Sequence, residues 1–274
     1  MPQLIDESTL KEVAQFIEEA VGIIYEGNNL FQLEKRIPEM MWAAGALSPK
    51  DLVARLERGL DRNCRQAILD IATNNETLFF RDERVFSALK EVLIPTLWAR
   101  HPHVRIWSSC CSTGQEVYSL AIISEEVLEK MSSGFRYSIV ASDVSERALV
   151  AARNGRYSQL QVERGLSGQR LEKYFVLEQD ERWSIHPKIK RNIEFKLCNL
   201  LEASQSSDQF DLVLCRNMLI YQRPENRKRI VNKLVKHLKP EGYLLVGGSE
   251  SLLGLSDELK MESLAGTIVY KKEN

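Results

Sequence analysis

From Val104 to Val246 the chain alternates short apolar runs with longer helical ones, and the middle runs, Phe210–Cys215 above all, are apolar on both faces. A strand with two apolar faces must be covered on both sides. The pattern therefore predicts an α/β domain: a mostly parallel sheet with helices above and below it. Strands are expected at 104–108, 136–142, 193–197, 210–215 and 243–246. Helices are expected at 116–131, at 145–154 with Ser145 as cap, and at 225–238, the last stopped by Lys239-Pro240-Glu241-Gly242. The end of the chain, 259–272, reads as two strands pairing around Ala265-Gly266. One stretch breaks the alternation: Phe175–Glu178 and Trp183–His186 form a short hairpin around Gln179–Arg182, an insertion projecting from the sheet.

Residues 1–85 read differently, as a small helical domain preceding a sheet domain at 86–274 with its inserted subdomain at about 175–190. Leu10, Val13, Phe16, Ile17 and Ala20 recur at helical spacing after Ser8 or Thr9 and before Gly22. A second helical run, 30–44, contains Pro38, which should bend it or delay its start. Ser48-Pro49 opens a third helix as cap and first residue, and 65–73 reads as a fourth. Arg55, Arg58, Arg62 and Arg65 suggest a basic helical face, usually a solvated one.

A formal net charge of -1 provides no global field toward nucleic acid or an acidic membrane. The five cysteines, Cys64, Cys110, Cys111, Cys198 and Cys215, contain no Cys-x-x-Cys pair and read as free thiols of a reducing cytoplasm. No signal peptide is expected at Met1–Asp6, and no apolar run is long enough to span a bilayer. No metal site is expected either: His101 and His103 lack an acid or thiol at ligand spacing.

Open parallel sheets bind ligands beyond the carboxyl ends of their strands. Four polar elements sit at such ends here: the turn Ser108–Glu116, Asp143, Asn199 and Arg216-Asn217. The turn has one glycine, Gly114, where a dinucleotide fold uses three, and Glu116 would repel phosphate. An adenosine cofactor without phosphates suits it, and S-adenosylmethionine fits; taken alone, the turn reads equally as a tight strand-to-helix turn with no ligand. Asp143 stands where an acid meets ribose hydroxyls, or else serves the helix that follows. Asn199 either borders adenine or is a turn residue, and Arg216 either meets a ligand or forms a structural salt bridge. The segment 73–82 joins the two domains and mixes polar side chains with Phe79-Phe80.

Together these motifs resemble the chemotaxis receptor methyltransferases, the CheR-type protein-glutamate O-methyltransferases. The matching pieces are Asn75-Glu76-Thr77-Leu78-Phe79-Phe80-Arg81, Trp107-Ser108 through Ser112–Ser119, Ala141-Ser142-Asp143, Asn199-Leu200, Phe210-Asp211 through Cys215–Tyr221, and Leu238–Tyr243. They run in family order over nearly the whole chain. The Asn-x-Thr-x-Phe-Phe-Arg and Cys-Arg-Asn segments are specific; Lys-Pro-x-Gly is generic to methyltransferases. The resemblance implies a Rossmann-like S-adenosylmethionine-dependent methyltransferase sheet with an N-terminal helical domain and a small inserted β-hairpin subdomain. It implies that Asn75, Thr77, Arg81, Glu116, Asp143, Asn199, Leu200, Arg216 and Asn217 line the cofactor site, with Glu116 on the methionine amino group and Asp143 on the ribose. Arg81 and Tyr221 would face the glutamate of a receptor's cytoplasmic domain, the helical domain would contact that receptor, and S-adenosyl-L-homocysteine would be released. Gln115 and Val117 stand where many members have Glu and Pro. The hairpin loop Glu178–Arg182 is short and lacks glycine, whereas members that tether to a receptor's C-terminal pentapeptide have a longer, glycine-containing loop; no such tether is expected. A small-molecule methyltransferase and a non-catalytic binding module remain alternatives.

Overall fold

The computed structural model describes residues 5–131, 134–203 and 206–273. Five helices come first: α1 Glu7–Val21, α2 Leu30–Glu34, α3 Ile37–Ala44, α4 Pro49–Arg58 and α5 Arg62–Ala72. Their caps follow from local chemistry. Asp6, rather than Ser8 or Thr9, caps α1 by accepting from the Thr9 amide at 2.9 Å, and Gly22 ends it at φ 76°. Ser48 caps α4 with Pro49 in the first turn, as the sequence predicts. The run 30–44 is broken before Pro38, which lies in the first turn of α3, where its missing N–H has no bond to lose. The four arginines form no single face, because Gly59, at φ 89°, ends α4 between Arg58 and Arg62. The apolar core of this unit draws on residues from Leu10 to Ala72, while Phe79 and Phe80 already pack beneath the sheet.

Next come α6 Glu83–Ala88, a π-helical turn Leu89–Leu93 and α7 Ile94–Arg100. The sheet elements are β1 His103–Ser108, α8 Gln115–Leu128, β2 Arg136–Asp143 and α9 Glu146–Asn154. The insertion contributes β3 Arg156–Tyr157, α10 Gln159–Glu163, α11 Gly168–Tyr174, β4 Phe175–Leu177, β5 Trp183–Ile185 and α12 Pro187–Lys190. The chain closes with β6 Ile193–Leu197, β7 Phe210–Cys215, α13 Pro224–Lys236, β8 Leu238–Val246, β9 Leu259–Leu264 and β10 Thr267–Lys272. The seven-stranded order is β6-β2-β1-β7-β8-β10-β9; the first five strands run parallel, and β10 alone is reversed, pairing antiparallel with both β8 and β9.

Period-2 alternation divides the strands between two cores. Ile106, Ile139, Leu212, Leu214 and Leu245 pack with α8 and with Leu93 and Leu97. Trp107, Val140, Val213 and Leu244 pack with Ile230, Val231, Leu234 and Val235 of α13. Every residue of β7 is buried. The one acid there, Asp211, accepts from the Arg105 amide at 2.8 Å and from the Lys239 ammonium at 2.9 Å, which makes its burial tolerable.

Two expectations change. Lys239-Pro240-Glu241-Gly242 lies inside β8 rather than before it. The ladder there jumps from Phe210↔Leu238 to Leu212↔Tyr243, and this bulge accommodates Pro240, with Glu241 at φ 63°. The expected hairpin forms with Phe175↔Ile185 and Leu177↔Trp183 in register, but β3 pairs with β5 as well, making a three-stranded antiparallel sheet. The hairpin loop closes through Glu178 N–H to Arg182 C=O at 2.8 Å, with Glu181 left-handed at φ 61° in place of a glycine.

Candidate functional site

The main pocket opens beyond the carboxyl ends of β1, β2, β6 and β7. Its empty volume, open mouth included, is ≈ 1340 Å³. Asn75, Thr77, Arg81, Glu116, Asp143, Asn199, Leu200, Arg216, Asn217 and Tyr221 all line it, although they come from segments far apart in the chain. Sheet topology explains the convergence: parallel strands carry their following loops to one rim.

The turn after β1 is built without room for side chains at its tightest point. Gly114 has φ 98°, and a Cβ there would lie 2.9 Å from the Tyr157 hydroxyl and 3.1 Å from the Tyr118 ring. Tyr157 buttresses the turn from the insertion, donating to Thr113 C=O at 2.9 Å. The amides of Ser109, Cys111, Ser112 and Gly114 donate to Leu214 C=O, Ser142 C=O, the Asp143 carboxylate and Cys111 C=O. These N–H groups are already engaged, so the turn differs from the open nests that bind pyrophosphate.

Glu116, in the first turn of α8, presents a carboxylate to the pocket. Its oxygens accept from Ser108 Oγ at 2.8 Å and from Arg216 at 3.0 Å. The Arg216 side chain is 1% exposed and also donates to Arg81 C=O at 2.9 Å and to Asp82 at 2.5 Å. The salt-bridge reading of Arg216 therefore holds, while its buried Nε has no partner. Asp143 accepts one backbone N–H on each oxygen, from Ser112 at 2.8 Å and Ser145 at 2.9 Å. It thus orders both the turn and the start of α9, and burial pushes its carboxyl up from the ordinary value. One lone pair per oxygen remains for further donors.

The side-chain amide of Asn199 is committed elsewhere. Its Nδ2 donates to Ala20 C=O at 2.8 Å and its Oδ1 accepts from the Leu201 amide at 3.0 Å. It ties the loop after β6 to the end of α1. Arg81 is partly buried, and its guanidinium donates from Nη1 to Glu76 C=O at a long 3.5 Å; among the described residues it forms no ion pair. Ser112 Oγ donates to Asn75 C=O at 2.9 Å, holding the 73–77 segment over the first turn. The thiols of Cys110 and Cys198 also line the pocket. The contact with Cys215 and burial push the Cys110 thiol well above its ordinary value, so it stays neutral.

Several contributors have no signature in the sequence. Val21 at the end of α1 and Ile23, Ile24 and Tyr25 beyond it border the pocket, and the Ile24 amide donates to Tyr221 C=O at 3.0 Å. Asp82 and Glu250 anchor pocket segments through Arg216 and Asn217. A signal was available for Asp82 alone, as an acid one residue from Arg81. No cluster of potential metal ligands occurs among the described residues.

A parallel sheet whose first turn carries Glu116 and adjoins Asp143 at the end of the second strand is the arrangement expected of an S-adenosylmethionine-dependent methyltransferase, and the comparisons with known proteins show that class. The family model described as "CheR methyltransferase, SAM binding domain" matches residues 75–268, and the chain belongs to that family. It is 37% identical over 261 residues to the chemotaxis protein methyltransferase Cher2 of Pseudomonas putida, covering 93% of this chain and 94% of that protein. It is 38% identical over 264 residues to chemotaxis protein methyltransferase 1 of Pseudomonas aeruginosa, with the same coverages, 93% and 94%. With chemotaxis protein methyltransferase 1 of Vibrio cholerae it shares 34% identity over 268 residues, covering 97% and 98%. Its cofactor is S-adenosylmethionine. The residues present fit it: two carboxylates, Glu116 and Asp143, line the pocket, a lining that suits a cationic ligand with hydroxyl groups better than a phosphate.

Proposed function

We propose that this chain methylates glutamate side chains of methyl-accepting chemotaxis receptors, forming glutamyl methyl esters and leaving S-adenosyl-L-homocysteine. The observation that carries the reading is Arg81: a guanidinium lining the pocket with no carboxylate partner among the described residues, close in sequence to Asp82, which Arg216 ties to Glu116. An unpaired cation beside a methyl-donor site suits an anionic acceptor.

The bound cofactor supplies a sulfonium methyl group open to in-line displacement. Glu116 holds the methionine amino group, Asp143 the ribose hydroxyls, and Asn75, Thr77, Asn199, Leu200, Arg216 and Asn217 complete the cofactor wall. Because the Asn199 amide is engaged with Ala20 and Leu201, it contributes here through its backbone and neighbours. The acceptor glutamate, with a reference pKa of ~4.3, is already ionised at neutral pH, so no general base is required. Arg81 and Tyr221 would orient its carboxylate, turning one oxygen toward the methyl group that the cofactor would supply. Alignment and exclusion of water supply the rate.

The N-terminal helices, whose core ends at Ala72, act as the receptor-facing domain and the sheet unit, which Phe79 and Phe80 already join, as the methyltransferase domain, so the boundary falls before the expected 85/86; the protein works in the cytoplasm without membrane insertion or nucleic acid, and no helix among the described residues is long and apolar enough to cross a membrane. The decisive experiment incubates the protein with methyl-labelled S-adenosylmethionine and receptor-containing membranes, then adds base. Volatile labelled methanol is expected; label on the receptor that resists base rejects the ester. The short closed loop Glu178–Arg182 favours no pentapeptide tether. Calorimetry with a receptor C-terminal pentapeptide is expected to show no heat of binding, and a measurable affinity overturns this point.

A further inference from the structure

We propose that Glu250 is a positioning residue that fixes the turn carrying Asn217 and Tyr221 into the pocket. The inference rests on the reading above for what those two residues do. Beyond the end of β7, Asn217 turns left-handed at φ 58°, rare for a residue with a side chain. A single 3-10 turn, Leu219–Tyr221, follows. This path takes the amides of Asn217 and Ile220 out of the sheet and gives them no helical partner. Glu250, in the loop after β8, supplies the acceptor. Its Oε2 accepts from the Asn217 amide and the Gly247 amide, both at 2.7 Å, and its Oε1 accepts from the Ile220 amide at 3.3 Å. One carboxylate thus gathers three backbone donors from two segments.

Gly247 makes the approach possible. A Cβ there would lie 2.7 Å from Asn217 Nδ2, 2.8 Å from Glu250 Oε2 and 3.0 Å from the Asn217 amide. On the other flank, the Ile24 amide holds Tyr221 C=O at 3.0 Å. The turn is therefore clamped between the carboxylate of Glu250 and the segment after α1. Asn217 and Tyr221 line the pocket and Glu250 does not, so Glu250 acts through them.

The test uses the full chain and Glu250→Gln, which preserves shape but replaces one acceptor oxygen by a donor. Amide hydrogen exchange should accelerate at 217–221 by at least about tenfold, the equivalent of one charge-assisted hydrogen bond, while β7 amides stay protected. Affinity for S-adenosylhomocysteine, measured by calorimetry, should fall by a similar factor. In an Asn217→Ala background the same substitution should have little further effect on affinity. Glu250→Asp, which keeps both oxygens, should recover part of the loss; it also serves should the Gln variant fail to fold. Unchanged exchange at 217–221, or losses that multiply in the double variant, overturn the proposal. Exchange and cofactor affinity do not involve the methyl acceptor, so a failure of receptor methylation leaves this result interpretable.

Discussion

Replacing Arg216 by Met removes a guanidinium whose side chain is 1% exposed while keeping most of its stem volume. Three acceptors lose their donor: Glu116, Asp82 and the Arg81 carbonyl. They do not suffer equally. The Asp82 side chain is 47% exposed and rehydrates, whereas that of Glu116 is 12% exposed and retains Ser108 alone. Breaking a buried pair costs roughly 3–5 kcal/mol, and the wet side of this one brings the expectation down to about 2–4 kcal/mol. At roughly 2 °C per kcal/mol for a chain of this length, the melting temperature should fall by ~4–8 °C. Adding Glu116→Gln removes the stranded charge. The double variant should therefore be more stable than Arg216→Met alone, with a coupling of about 1–3 kcal/mol between the sites. Both variants should lose S-adenosylhomocysteine binding in calorimetry. Denaturant melts of the four proteins decide the matter: destabilisations that add within about 0.5 kcal/mol would refute the claim that Arg216 compensates a buried Glu116.

Arg81→Ala should leave the melting temperature within a degree or two of the parent and abolish receptor methylation; near-normal turnover rejects the orienting role. Gly165, at φ 101°, has no space for a Cβ, which would lie 1.9 Å from the Phe79 carbonyl oxygen, a backbone atom. Gly165→Ala should cost at least about 1–3 kcal/mol, read as a shifted denaturant midpoint, and an unshifted midpoint counts against this packing. Asp208 is held down to about 2, chiefly by its hydrogen bond from Arg105. Its folded pKa is depressed, so its contribution is present above the ordinary carboxylate value and disappears as pH falls toward about 2. Asp208→Asn should thus melt lower than the parent at pH 6 and match it near pH 2; a constant gap across that range contradicts the assignment.

Sheet, helices and rim were legible because each depends on neighbours in sequence. Ser48-Pro49 and Ser145 announce their helices through a cap that reaches three residues ahead, and Phe210–Cys215 declares a strand covered on both faces. Pro240 misled, since a proline reads as a stop and only the pairing with β7 reveals a bulge that admits it. The interdomain boundary was equally hidden: Phe79 and Phe80 follow the helices in sequence but bury themselves beneath the sheet.

For this protein the sequence alone determined the parallel α/β sheet, the polar rim that lines one pocket and the family resemblance. Tertiary structure alone decided which polar groups satisfy one another. Asn199 reaches Ala20 across 179 positions, Arg216 spans 100 to Glu116, and Glu250 closes a turn 33 residues upstream. Periodicity and capping register contacts within a turn or two of chain, whereas a buried charge takes whichever partner the packed fold brings within hydrogen-bond reach.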